Sequence, residues 1–322
     1  MKQSLTILLA ALLFTSCTWI KFDPEECPDG FWIQLHYTYN ILDVEAAPEY
    51  VKDAALYIYD AEGNYVQRID VTPEELSANG YRVRVDGLPD GDYQFMVWSG
   101  INSSLYSLAG DHGPMTEFRL ALANQNASSD KQLPDLFYGF LPAVHYDSGY
   151  AQHDVYLMKN TNLLACLIMP TSTTTKLNPA DFSLSIVSAN GEMDANNNLV
   201  SDKLRTYEPF VSEKATINDS DYGTVQGVSY SISTLRLMTQ TDCRIILKKR
   251  DTGNQIFNIS LPEYIGMIGS LYTNLGKPLS VQEYLDRQDF YSVVFFLSED
   301  LEQLMQLQVN SWRLRANNHL KI

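Results

Sequence analysis

Several things are in short supply in this chain. Cysteine occurs four times in 322 residues, at Cys17, Cys27, Cys166 and Cys243. The three that follow Cys17 allow at most one internal disulfide, and their spacing matches no metal motif. Cationic residues are few: 23 Lys and Arg against 39 Asp and Glu, for a formal net charge of −16. No basic cluster exceeds Lys248-Lys249-Arg250. Nucleic acid is therefore excluded as a partner, because such binding requires phosphate neutralisation. The longest apolar run, Leu5 to Phe14, is far shorter than the ~20 residues that span a bilayer core of about 30 Å.

Catalytic motifs are missing as well. The histidines His36, His112, His145, His153 and His319 are scattered, and none forms an HExxH or HxH arrangement. His36 falls on the polar side of a strand; His112, His145 and His153 read as loop residues. There is no GxSxG elbow, phosphate-cradling glycine loop or dinucleotide fingerprint. The acidic stretches Asp60-Ala61-Glu62, Asp90-Gly91-Asp92 and Asp219-Ser220-Asp221 lack the calcium-loop spacing and read as turns. No enzymatic activity, cofactor or metal is expected.

What is present begins at the N-terminus. Lys2, the short apolar segment and the small residues Thr15-Ser16 before Cys17 make the three parts of a secretory signal. A cysteine at that point resembles a lipobox, with Phe14 where an aliphatic residue is usual. Cleavage after Ser16 and acylation of Cys17, palmitate included, are the expectation. One acyl chain holds weakly and two or three hold durably, at about 0.8 kcal/mol per buried CH₂. Residues 17–29 then form a lipidated tether with Pro24, Pro28 and the acidic Asp23, Glu25 and Glu26. That acidic run resembles the export signals of surface lipoproteins and equally fits a solvated linker. The expected location is the outer membrane, lipid-anchored and facing the cell surface.

From Phe31 onward the dominant period is two, as a half-buried strand requires. Phe31, Ile33, Leu35, Tyr37 and Tyr39 share a face; Leu56 and Ile58 lead to a turn at Asp60–Asn64. Tyr81, Val83 and Val85, the turn Gly87-Leu88-Pro89-Asp90-Gly91, and Tyr93, Phe95 and Val97 predict a hairpin. The run from Leu163 to Met169 is apolar at every position and predicts a strand covered on both faces. Phe182-Leu184-Ile186 with the Asn190-Gly191 turn copies the layout around Leu56, which points to a repeated domain type. Val228-Tyr230-Ile232, Cys243-Ile245-Leu247, Phe257-Ile259-Leu261 and Val293-Phe295-Leu297 add strands, with Cys166 and Cys243 in core phase. Met305-Leu307-Val309 changes phase into Trp312-Leu314, which predicts a bulge or bend. Helices are few: Pro73–Ser77 behind the Thr72 cap, a turn behind Ser280-Val281-Gln282-Glu283, and a stretch from Glu263 to Leu275 weakened by Gly266 and Gly269. Many short strands with Gly, Asn and Asp turns mean an all-β chain of β-sandwiches. At about 150 residues per domain the mature chain holds two. Trp32 and Trp98 lie out of phase with their strands, so each is either covered by another layer or free to stack sugars or a protein partner.

Several fragments, in order, carry a resemblance. They are Cys27-Pro28-Asp29-Gly30-Phe31, Leu35-His36-Tyr37-Thr38-Tyr39-Asn40, Ala55-Leu56-Tyr57-Ile58-Tyr59-Asp60 and Gly87-Leu88-Pro89-Asp90-Gly91-Asp92-Tyr93, then Val97-Trp98. Glu283-Tyr284-Leu285-Asp286-Arg287 and Val309-Asn310-Ser311-Trp312 follow late in the chain. With the lipobox Cys17 they resemble the FimB-type family of fimbrial subunits, the anchor and accessory proteins of Bacteroidales type V pili. The resemblance implies two transthyretin-like, Ig-like Greek-key sandwiches, placed at 30–158 and 159–322 after the signal peptide 1–16 and the tether 17–29. It also implies a role in anchoring or assembling a fimbria, with a stalk or accessory subunit as partner, engaged by β-strand addition. Stalk subunits of that system are cut after an early arginine, whereas no arginine stands between Cys17 and Arg68 here. A base anchor is favoured over a shaft subunit, and a surface lipoprotein binding glycans or host ligands is the alternative. A Cys17→Ala chain should appear in the soluble fraction and take up no labelled fatty acid; unchanged membrane retention would contradict the tether.

Overall fold

A computed structural model describes residues 30–123, 128–200 and 203–315. Cys17, Cys27, His319 and the whole predicted tether lie outside the described residues. The strands of the first half are β1 (Phe31–His36), β2 (Ala54–Asp60), β3 (Tyr65–Val71), β4 (Arg82–Val85), β5 (Gly91–Ser99), β6 (Tyr106–Ala109), β7 (Arg119–Leu122), β8 (Ser128–Ser129), β9 (Phe137–Tyr146), β10 (Ala151–Tyr156) and β11 (Met158–Lys159). The second half continues with β12 (Thr161–Pro170), β13 (Phe182–Ser188), β14 (Glu192–Asp194), β15 (Arg205–Tyr207), β16 (Val211–Asp219), β17 (Gly223–Leu235) and β18 (Cys243–Lys249). It ends with β19 (Gln255–Ser260), β20 (Thr273–Asn274), β21 (Lys277–Pro278), β22 (Phe290–Leu297), β23 (Leu304–Val309) and β24 (Trp312–Arg315). Among the described residues four short helices join them: α1 (Ala47–Tyr50), α2 (Pro73–Ala78), α3 (Leu261–Gly266) and α4 (Val281–Arg287).

The fold is all-β, two sandwiches with few helices. In the first, the three-stranded sheet β10-β1-β4 faces the five-stranded sheet β11-β9-β5-β2-β3. In the second, the six-stranded sheet β16-β17-β12-β22-β23-β24 faces β19-β18-β13-β15-β8. The two share a connectivity. Each opens with a strand, β1 or β12, that runs parallel to a late strand, β10 or β22, and antiparallel to β4 or β17. Alternation accounts for the inner faces: Phe31, Ile33 and Leu35 are buried on β1, as are Leu164, Cys166 and Ile168 on β12.

The turn at Gly87–Gly91 does not close a hairpin. β4 pairs with β1 and β5 with β2 and β9, in opposite sheets. Val83 and Val85 nevertheless share one core with Tyr93, Phe95 and Val97. The connection is an arch across that core, because both strands bury their apolar side toward the same space. The return strand after Asn190-Gly191 likewise leaves its sheet: β14 pairs with β7 of the first half, and β6 completes that small sheet. β8 joins β15 in the same exchange. Phe118, Leu120 and Tyr106 from this strap bury Tyr57, Met96 and Trp98 on the outer side of β2 and β5. Trp98 is thus a covered residue, stacked on Phe118 at 6.1 Å.

β12 is not covered on both faces. Leu163, Ala165 and Leu167 are half-exposed on its outer side, where Thr161 at the strand's start and Met169, beside Phe296 and Tyr222, are shut off from solvent. The phase change after Val309 is a reversal rather than a bulge. Val309 pairs with Trp312 across a two-residue turn in which Asn310 takes φ +52°. Its side chain fixes that turn by accepting from Ser292 N at 3.0 Å. The Glu263–Leu275 stretch also breaks up: α3 runs from Leu261 to Gly266, and a tight turn and the β20–β21 hairpin follow. A Cβ at Gly266 would sit 2.4 Å from Val281, and one at Gly269 3.0 Å from Tyr284. Those glycines admit α4 at close range and interrupt the helix for that reason. α2 forms as expected and one residue longer, with Thr72 and Glu75 exchanging the two capping-box bonds.

Cys166 and Cys243 are free and buried, and burial pushes both thiols up to about 12. The thiolate is the nucleophile, so neither should alkylate with iodoacetamide in the native protein at pH 8. Both should label fully in denaturant, as peptide mass spectrometry would show.

Candidate interaction edges and the joint between the sandwiches

Helix α4 is the joint. Ser280 caps it by accepting from Glu283 N at 3.1 Å. Asp286 and Arg287 near its end are both almost fully buried. Asp286 accepts a two-pronged bond from Arg236, at 2.8 and 3.0 Å, and a third from Gln282 at 2.9 Å. The planar guanidinium matches the carboxylate as a fork, a geometry lysine cannot reproduce. Arg287 points the other way, into the first sandwich. It donates to Asn40 O at 3.3 Å and Asp43 at 2.5 Å, and its guanidinium lies 4.3 Å from the Tyr39 ring centre.

That contact exists because Asn40 organises its loop. Its amide donates to Tyr37 O and Val44 O, while its carbonyl accepts from Leu42 N and Val44 N. A second clamp sits alongside, where Lys159 bonds Asp289 at 2.7 Å and Asp135 at 2.8 Å. Burial works to lower the pKa of Lys159, but Asp289 and Asp135 outweigh it and the net shift is upward. A raised cationic pKa stabilises the fold below the usual lysine value of about 10.4 and is lost only at more alkaline pH. Asn160 and Asn197 exchange amide bonds at 2.8 and 3.1 Å beside it.

The other interaction-capable features are sheet edges, whose unpaired backbone can accept a further strand. β3 is seven residues long and carries a bulge opposite Ile58/Tyr59. β4 has four residues, β10 six and β19 six, and β19 runs directly into α3. β16 has nine, all paired to β17 on one side, and it ends the six-stranded sheet. It is exposed or half-exposed along its whole length. Sequence reading missed it because an edge strand open on both faces has no apolar alternation to detect. The legible signals were the β-branched Thr216 and Ile217 before the Asp219–Gly223 turn.

The remaining sequence candidates disperse. His145 lies in β9 and His153 in β10, in strands rather than loops. His153 sits on a polar stretch whose pairing comes from its neighbours, while His145 follows Leu141–Val144 on a strand paired to β5. His145 contacts Asp92 at 3.0 Å and Asp90 at 3.3 Å, while His153 packs on Phe31. His112 neighbours Asp111 in a turn. His36 stands on the polar side of β1, within 2.7 Å of Glu45 and 3.3 Å of Asp154. Asp60 accepts from the backbone and side chain of Asn64, as a turn residue does. No group of three metal-ligating side chains assembles among the described residues. No helix among them is long and apolar enough to cross a membrane.

Set beside known proteins, residues 24–318 match the family described as fimbrillin-A associated anchor proteins Mfa1 and Mfa2. No curated protein matches. An adhesin candidate from Bacteroides thetaiotaomicron is similar at 27% identity and TM-score 0.80, over 92% of this chain and 100% of that one. Polysaccharide-binding candidates from the same organism are similar at 26% identity and TM-score 0.78, over 90% of this chain and 99% of theirs. The fimbrial anchor protein Mfa2 of Porphyromonas gingivalis shares the fold at 16% identity and TM-score 0.68, over 90% of this chain and 100% of that one.

Removing the guanidinium from the joint would strand Asp286 in a nearly dry site. Arg236→Ala should cost about 3–5 kcal/mol, read as a lowered denaturant midpoint. Arg236→Lys, which keeps the charge but not the fork, should lose a smaller part of that.

Proposed function

The chain belongs to the family of fimbrillin-A associated anchor proteins, a structural rather than enzymatic family, and from this premise we propose that it is a lipid-tethered fimbrial anchor. In this reading acyl chains on Cys17 hold the outer membrane, residues 17–29 act as the tether, and sandwiches at 30–158 and 159–322 face the cell surface. A stalk or accessory subunit of the fimbria is the partner. The observation that carries the reading is the family match across nearly all of the chain beyond the signal peptide. The arginine pattern supports a base position: the first arginine, Arg68, lies within β3 and is bonded to Asp70. A cut there would divide a sheet rather than trim a leader.

For the grip on the partner, β-strand addition at β16 is the geometry we favour. Nine residues of edge extend for about 30 Å. Each added backbone bond contributes about 0.5–1.5 kcal/mol net, so a segment that pairs along the whole edge is held without any deep pocket. Side-chain selectivity would come from the outer row of Val211, Ala215 and Ile217, which continues onto the half-exposed Ser229 and Ser231 of β17. Glu213 and Lys214 place charge of both signs on the same strand, the usual protection against indiscriminate pairing.

A photo-crosslinking side chain introduced at Thr216 in the full lipidated chain should capture a fimbrial subunit in cells that assemble fimbriae. The same group at Val66 on the β3 edge should not. Capture at Val66 with none at Thr216 would remove β16 from the proposal, and capture of no fimbrial subunit at either would remove the anchor reading.

A further inference from the structure

The outer face of the three-stranded sheet has a composition that exposure alone does not explain. Its outward positions on β1 are Trp32, Gln34 and His36. In register beside them on β10 stand Gln152, Asp154 and Tyr156, and on β4 Arg84 and Arg82. Every one of these side chains ends in a planar aromatic, amide, carboxylate or guanidinium group. Open strand faces more commonly hold β-branched residues, and none occurs here.

The groups are already held in place. The guanidinium groups of Arg82 and Arg84 lie 4.7 and 5.5 Å from the Trp32 ring centre. The His36 and Tyr156 rings stack at 5.3 Å with 23° between planes. Gln34 is tied by its amide to Gly80 O at 3.1 Å and Tyr81 O at 3.2 Å. Tyr156 is 60% exposed. Little side-chain freedom remains to be lost on binding, which lowers the cost of association.

We propose that this face is a binding platform for a neutral polysaccharide. Aromatic rings take the C–H face of a pyranose, while planar amides, carboxylates and guanidinium groups bond its hydroxyls in their own plane. From Trp32 to Tyr156 the face runs about 13 Å along the strands and about 10 Å across them, room for a run of linked sugars rather than one. Charge selects the class. Arg84 is bonded to Asp86, and His36 to Glu45 and Asp154, while Arg82 donates to a backbone carbonyl, Asn79 O, at 3.0 Å. The whole chain carries −16, which repels uronate and sialylated chains at low salt. A peptide strand needs an edge, and this is a face. The site stands apart from β16, and the proposal holds whether or not the chain anchors a fimbria.

Affinity electrophoresis of the full-length protein in native gels containing galactomannan, xyloglucan or laminarin tests it, with polygalacturonate as the anionic control. At least one neutral gel should retard the protein, and Tyr156→Ala should weaken that retention about tenfold, the worth of one aromatic stacking contact. Tyr156→Phe should retain most of it. Tyr156 is exposed, so its variants should fold, and unchanged thermal melting would verify this. The proposal is overturned by no retardation in any neutral gel, by undiminished retardation of Tyr156→Ala, or by retention on polygalacturonate alone.

Discussion

Two adjacent side chains on one short helix face in opposite directions, and much of the molecule's mechanical unity follows from them. Asp286 is gripped by Arg236 within the second sandwich, while Arg287 reaches the Asn40 loop of the first. A buried ion pair is weak evidence for net stability, since desolvation offsets most of its attraction. Its directional bonds are better suited to fixing one relative orientation. Lys159 with its two carboxylates and the Asn160–Asn197 pair repeat the arrangement nearby. The strap of β6, β7 and β8 adds backbone pairing to β14 and β15.

For a member of a fimbrial anchor family, this construction makes physical sense. Pulling on one sandwich loads hydrogen bonds and a continuous apolar core that runs from Tyr57 and Trp98 through to Leu164 and Ile245. A flexible linker between the sandwiches would instead let them separate under load. A formal charge of −16 disfavours self-association. Two of the open surfaces differ in kind: the long β16 edge offers backbone, and the β10-β1-β4 face offers planar side chains. The first suits a strand and the second a glycan, so the two do not compete for one ligand.

Much of the architecture was legible in the residue order. Period-two alternation located β1, β2, β5, β13, β17, β18 and β22 because each has a face turned to a core, and an unbroken apolar run located β12. The Thr72 and Ser280 caps located α2 and α4, since capping chemistry is local. Cys166 and Cys243 fell in core phase and are buried. Arg287 and Asn40 belong to two of the fragments that carried the family resemblance, yet nothing in their spacing announces that they touch.

What the residue order determined by itself was strand identity, inward phase, the helix caps and the acidic balance of charge. Each depends on neighbours within a few positions or on a sum over the chain. Tertiary structure alone decided that β4 and β5 arch between sheets, that Trp98 lies under a strap, that the outer side of β12 stays open, and that β16 exists as an edge. Those outcomes depend on which distant segment covers a given face. A face's own composition records how apolar it is, but not what the fold places over it.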